Sequence, residues 1–180
     1  EIVDKENAQD LVVKTGNIKF KNVSFSYNQN RSILKDISLE IPAGKKVAVV
    51  GPSGAGKSTM GRLLFRFYNV SNGIISIDDQ NISNCTQYSL HKEIAVVPQD
   101  TVLFNESIFF NIQYADNASN KEDVIRAARL ANIHDFIDSL PDKYETLVGE
   151  RGLKLSGGEK QRVAIARAVL KNPKIILFDE

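Results

Sequence analysis

The stretch Gly51-Pro52-Ser53-Gly54-Ala55-Gly56-Lys57-Ser58-Thr59 sets three glycines ahead of a lysine and an adjacent pair of hydroxyls. It fits the pattern G-x-x-x-x-G-K-[ST], whose parts have separate chemical duties. Glycines allow the backbone to turn successive amides inward, forming a nest for phosphate oxygens. A helix starting at the lysine adds its positive N-terminal end. Lys57 has the charge and reach for β- and γ-phosphates, and the Ser58 hydroxyl can ligate Mg²⁺. A glycine-rich turn that binds nothing is the bland alternative. Against it stand the flanks, "KKVAVV" before and "KSTMGRLLFRFY" after, which read as the strand and helix this chemistry requires.

A second glycine-rich segment, "LKLSGGEKQR" from Leu153 to Arg162, is less completely furnished. Ser156 reads as the N-cap of a helix, with Glu159 at capping-box spacing. Gly157 and Gly158 then offer free amides at a positive helix end, another anion site. No lysine stands immediately beside these glycines; Lys160 lies a turn into the helix. An incomplete phosphate site beside a complete one points to sharing. Phosphates held by residues 51–59 of one molecule would be covered by Ser156, Gly157 and Gly158 of another. The last residues, "KIILFDE", form an apolar strand that delivers Asp179 to the phosphate end as a metal ligand. Glu180 follows as the base that polarises an attacking water.

The elements that must position these groups are legible from periodicity. "IKFKNVSFSY" and "ILKDISLEI" alternate apolar and polar residues, as half-exposed antiparallel strands do, with "NQNR" turning between them. "KKVAVVG" is a continuous apolar run and predicts a central, doubly covered strand. The helix after the glycine loop should bury Met60, Leu63, Leu64 and Phe67. "GIISIDD" and "EIAVVPQD" are further strands, the latter halted by Pro98. "SNKEDVIRAARLANI" begins with Ser119 and Glu122 at capping-box spacing and continues with good helix formers; "DFIDSLPDKY" carries a short helix that should end by Pro141. Asn172 and Pro173 stop the helix that begins at Ser156. Alternating strands and helices predict a parallel α/β core, to which the early strands and the helical middle are additions.

Composition narrows the function classes. The 180 residues carry 23 basic and 22 acidic side chains, a net charge of +1, without the basic excess of a nucleic-acid-binding surface. A single cysteine, Cys85, excludes an intrachain disulfide and a cysteine-based zinc site. No apolar run approaches the ~18 residues of a membrane span, and the polar opening is unlike a signal peptide. The final strand ends where domains seldom finish, so the chain reads as a piece cut inside a domain.

"LSGGEKQR" together with the first glycine loop resembles the ATP-binding cassette family, over nearly the whole chain from Asn17. The resemblance implies a P-loop NTPase with a RecA-like parallel core, an antiparallel β subdomain and an α-helical subdomain at about residues 105–153, truncated after the Walker B strand. Residues 1–16 would be a linker from an upstream transmembrane domain, and 17–180 the nucleotide-binding domain. Tyr27 in "FSY" stands where the family stacks a ring on adenine. Gln99 in "VVPQD" matches the glutamine that approaches Mg²⁺ and senses the membrane domain. Gly51 to Thr59 would bind ATP, with Ser156, Gly157, Gly158 and Glu159 closing the partner's site. Ser58, Gln99 and Asp179 would hold Mg²⁺, with Lys57, Gln99 and Glu180 serving hydrolysis.

"TLVGERG" is similar to the X-loop of exporters, and "LLFRFY" and "VVPQDTVLFNESI" resemble half-transporters for heavy-metal or iron–sulfur-related cargo. The implied partners are a second copy and the membrane domain, docked on the helical segment, with this domain on the cytoplasmic or matrix face. A DNA- or ribosome-associated soluble ATPase is the rival reading. The family's D-loop, switch histidine and closing strands are missing after Glu180, so residues 1–180 alone are expected to be unstable or aggregation-prone and nearly inactive. His91 and His134 read as packing or surface residues.

Overall fold

The computed structural model describes residues 2–28, 31–150 and 152–179, arranged as two compact units, Glu1–Ile94 and Ala95–Glu180. In the first unit, β1 (Ile18–Asn28) pairs antiparallel with β2 (Arg31–Ile41) and with β3 (Asn72–Ile77), and β3 pairs with the short β4 (Gln80–Asn81). The sheet order is β2-β1-β3-β4. β1 buries Ile18 and Phe20, then Val23 and Phe25, so its inward alternation slips by one residue. The slip is a bulge at Asn22, which takes a positive φ of 49° where the β2 register shifts. Behind the sheet, α1 (Lys57–Leu64) buries Leu63 and Leu64, and α2 (Gln87–Glu93) buries Leu90.

Residues 2–16 lie along this unit as an extended strap. The Asp78 carboxylate accepts from the amides of Lys14, Thr15, Gly16 and Asn17 at 2.7, 2.8, 3.1 and 2.9 Å, and from the Thr15 hydroxyl at 2.5 Å. Burial pushes the Asp78 carboxyl up, but the Thr15 hydroxyl and the amides of residues 15–17 outweigh it and hold the group well below the usual carboxylate range. Further along the strap, Asp4 accepts from the buried Arg66 guanidinium at 3.0 Å.

Three local expectations are corrected here. Residues 46–50 form no strand, and Val47, Val49 and Val50 are exposed, Val50 by 88%. Apolar content alone does not make a strand. A strand needs ladder partners, and none of the described strands pairs with this run. The helix after the glycine loop ends at Leu64 because Arg66 adopts a left-handed φ of 55°. Phe67 therefore leaves the buried face and is 54% exposed, packing beside Phe65 and His91.

In the second unit, β5 (Ile94–Val97) and β6 (Ile175–Phe178) form a two-stranded parallel sheet. The helices α3 (Ile108–Gln113), α4 (Lys121–Leu130) and α5 (His134–Ser139) pack as a separate layer, and α6 (Gly157–Leu170) is the pillar common to both. One face of α6 sets Ala164 and Ala168 against Ala95 and Val97 of β5; another sets Val163 and Ala166 among Ile112, Val124, Ala128 and Ile137. Small residues on α6 permit this two-sided close approach. The α4 capping box sits one residue later than the sequence spacing predicts. Asn120 and Asp123 cap each other reciprocally, while the Ser119 hydroxyl donates to Asp116 at 2.7 Å. The Ser119 hydroxyl is committed to Asp116, and the Asn120 carbonyl accepts from the third amide of the helix instead.

Arg167 ties α6 to the segment following β5. Its guanidinium donates to the Asn111 carbonyl and side chain, both at 2.6 Å, and to the Val102 carbonyl at 2.9 Å. Asn111 is fully buried and donates in turn to the Phe104 and Ser107 carbonyls.

Candidate nucleotide site

The glycine loop is held from below and bridged from above. Gly54 and Gly56 both lie in the left-handed region, with φ of 81° and 91°. At Gly56 a Cβ would sit 2.7 Å from Leu34 Cδ2 and 3.2 Å from Ile33 Cγ2, so β2 backs directly onto the loop. Glycine at this position is required both by backbone conformation and by space. Over the loop, the Lys57 ammonium donates to the Gly51 and Pro52 carbonyls at 2.8 and 3.0 Å. Residues 51–55 and Ser58 are exposed, while Thr59 is buried beneath them. An exposed amide-rich turn with a cation folded across its mouth has the donor set for a polyphosphate.

Tyr27 comes to the same place from β1. Its hydroxyl lies 3.2 Å from the Thr59 hydroxyl and accepts from Arg62 Nη1 at 3.3 Å. Phe25 and Tyr68 meet its ring nearly edge-on, at centroid distances of 4.8 and 5.0 Å. Tyr27 as a whole remains 39% exposed, which leaves room for a flat base beside it. Arg62 is absent from the residues singled out in the sequence. Its signal was the three-residue step from Thr59, which puts the two on one helix face.

The second unit carries the remaining candidates. Gln99 lies just past β5 and is exposed. The Asp179 amide donates to the Val97 carbonyl at 3.0 Å, so β5 and β6 release Gln99 and the exposed Asp179 at the same end of their sheet. Glu180 lies outside the described residues. At α6, the Ser156 amide donates to Glu159 Oε2 at 2.7 Å, and the Glu159 amide donates to the Ser156 hydroxyl at 3.4 Å. The capping box expected there is present. A Cβ on Gly157 would meet nothing within 4 Å, and one on Gly158 only Arg162 Nη1 at 3.8 Å. Among the described residues, none demands glycine at either position.

His91 and His134 belong to neither constellation. The first stacks on Phe65 at 4.3 Å and the second lies 2.9 Å from the Tyr144 hydroxyl. No cluster of three or more His, Cys, Asp or Glu side chains suited to a metal occurs among the described residues.

Residues 34–180 match the family model described as ABC transporter. The chain belongs to the ABC transporter family. It is 56% identical over 180 residues to the iron-sulfur clusters transporter ATM1, mitochondrial, of Gibberella zeae, covering 99% of this chain and 26% of that protein. It is likewise 56% identical over 180 residues to the ATM1-type heavy metal exporter of Novosphingobium aromaticivorans, covering 100% of this chain and 30% of the relative. A solved structure of a bacterial Atm1-family ABC exporter with ATP bound superposes with a TM-score of 0.96 at 56% identity, over the whole of this chain and 32% of that one. This ABC transporter chain thus spans about a quarter to a third of the length of these relatives. The P-loop NTPase fold expected from the sequence is the fold found. No helix among the described residues is long and apolar enough to cross a membrane.

Proposed function

We propose that this chain is the ATP-binding and ATP-hydrolysing domain of an exporter that works as a dimer. The observation that carries this reading is the loop at Gly51–Thr59, with left-handed glycines, β2 packed under Gly56 and Lys57 folded over the mouth. On binding ATP, Lys57 exchanges the Gly51 and Pro52 carbonyls for phosphate oxygens, while the loop amides and the α1 N-terminus receive the remaining charge. Tyr27 offers its ring to adenine. Ser58, Gln99 and Asp179 bear hard oxygen donors of the kind Mg²⁺ takes, and are the proposed ligands. When bound, the ion neutralises phosphate charge. Glu180 orients the attacking water and accepts its proton.

Ser156, Gly157, Gly158 and Glu159 are assigned to the site of a second copy. Support comes from the open space around Gly157, since a shared site needs a helix end that another molecule can approach closely. Residues 1–16 lead in from a membrane domain. Its docking face is proposed on the helical layer, where exposed Phe104, Phe110 and Tyr114 touch one another beside Arg167. Membrane association, on the cytoplasmic or matrix face, follows from that domain. The relatives named above are transporters, and no observation favours a nucleic-acid- or ribosome-bound ATPase.

In the intact protein, Lys57→Ala should abolish ATP binding and turnover. Glu180→Gln should retain binding, stop turnover, and accumulate the ATP-closed dimer. Full ATPase activity in Lys57→Ala would refute the loop assignment.

A further inference from the structure

Beside the glycine loop, three side chains from two elements meet in a line: Arg62 and Thr59 on α1, and Tyr27 on β1. A guanidinium has donors only, so the Tyr27 oxygen is the acceptor in its contact with Arg62. Either hydroxyl could donate across the 3.2 Å contact with Thr59, but accepting from a cation strengthens the phenol as a donor and favours the arrangement in which Tyr27 gives its proton to the Thr59 oxygen. Thr59 is then left with its own proton to give. Its residue is only 7% exposed, in the first turn of α1, and a hydroxyl so placed is oriented by protein contacts rather than by bulk water. Phe25 and Tyr68, nearly perpendicular to the Tyr27 ring at 85° and 86°, keep the phenol from swinging out of the line.

We infer that Arg62 and the Tyr27 hydroxyl are positioning residues which, through an ordered hydrogen-bond chain, present the Thr59 hydroxyl as a donor to a phosphate oxygen. The inference rests on the nucleotide-binding reading of the loop and adds a second duty to Tyr27. Its ring serves the base and its hydroxyl serves the phosphates. The two ends of the nucleotide site are joined by one side chain.

The test uses the intact protein, titrated calorimetrically with Mg·ATP and, separately, with magnesium and inorganic tripolyphosphate, which has no base to stack. Tyr27→Phe keeps the ring and removes the hydroxyl. It should weaken both ligands by the same factor, about fivefold, the worth of one net hydrogen bond. Arg62→Met should weaken both by about two- to fivefold, since it removes the polarisation of the chain while leaving both hydroxyls in place. In a Thr59→Val background the Tyr27→Phe effect should vanish, an outcome that a general loss of packing would not produce. The inference is overturned if Tyr27→Phe weakens ATP but leaves tripolyphosphate unchanged, or if its full effect persists beside Thr59→Val. A wild-type protein that binds neither ligand refutes the nucleotide site itself, a result distinct from either variant pattern.

Discussion

Replacing Gly157 with alanine separates what the chain needs for folding from what it needs for a partner. Gly157 opens the fourteen-residue helix α6 without a positive φ, and an added Cβ would have no heavy atom within 4 Å. Within one molecule the substitution therefore meets no clash and no strain. Alanine restricts the unfolded chain and favours helix, so stability should rise by about 0.5 kcal/mol, or about 1–2 °C in Tm for a domain of this size. Between molecules the sign reverses. In the proposed shared site, a methyl group beside the Gly157 amide would crowd an approaching phosphate oxygen, and each bond to a charged group lost in that way is worth about 1.5–3 kcal/mol. Two equivalent sites in the proposed closed dimer would double the loss to about 3–6 kcal/mol, so ATP-driven closure should weaken by roughly a hundredfold or more. Calorimetric unfolding reads the first effect. Pulsed electron-spin distances between labelled copies of the Glu180→Gln protein, across an ATP titration, read the second. Destabilisation by about 1 kcal/mol or more, or closure at unchanged ATP concentration, would refute the assignment of Gly157 to a partner's site.

Other substitutions probe the supports of the site. Gly56→Ala combines a left-handed φ with a 2.7 Å approach to Leu34, and should cost about 2–4 kcal/mol in urea unfolding and abolish ATP binding. Asp78→Asn should cost about 1–3 kcal/mol at pH 7 and expose residues 2–17 to proteolysis. Because the folded Asp78 carboxyl titrates below its unfolded value, its contribution is complete above the unfolded value of ~4 and is lost as pH falls through the folded one. The stability gap between wild type and Asp78→Asn should therefore shrink on acidification; a gap that widens would contradict the clasp. Arg167→Met leaves the Val102 and Asn111 acceptors unmet and should lower stability by about 2–4 kcal/mol, checked by chemical denaturation.

The groups that act within a few neighbouring residues were plain in the sequence. The Gly51–Thr59 run, the Ser156–Glu159 capping box and the Asn172 helix stop each depend on local backbone chemistry, and each appears where its pattern puts it. β1 brings Tyr27 beside the loop, but only coordinates reveal the hydroxyl contacts with Thr59 and Arg62, because β1 and α1 are brought together by tertiary packing. The same limit hid Asp78. Its five bonds reach back across about sixty residues, and nothing in "IDDQ" distinguishes it from the neighbouring Asp79. Residues 46–50 show the opposite failure. Their apolar run specifies a buried strand, yet a strand is a property of partners as well as of sequence.

The most direct test of the shared-site account is a structure of the intact Glu180→Gln protein loaded with Mg·ATP. The Ser156 hydroxyl and the Gly157 and Gly158 amides should lie at hydrogen-bonding distance from a γ-phosphate cradled by the other copy's Gly51–Thr59 loop, in both sites. A fully loaded protein in which that helix end faces solvent, with the phosphates contacted by one copy alone, would contradict it.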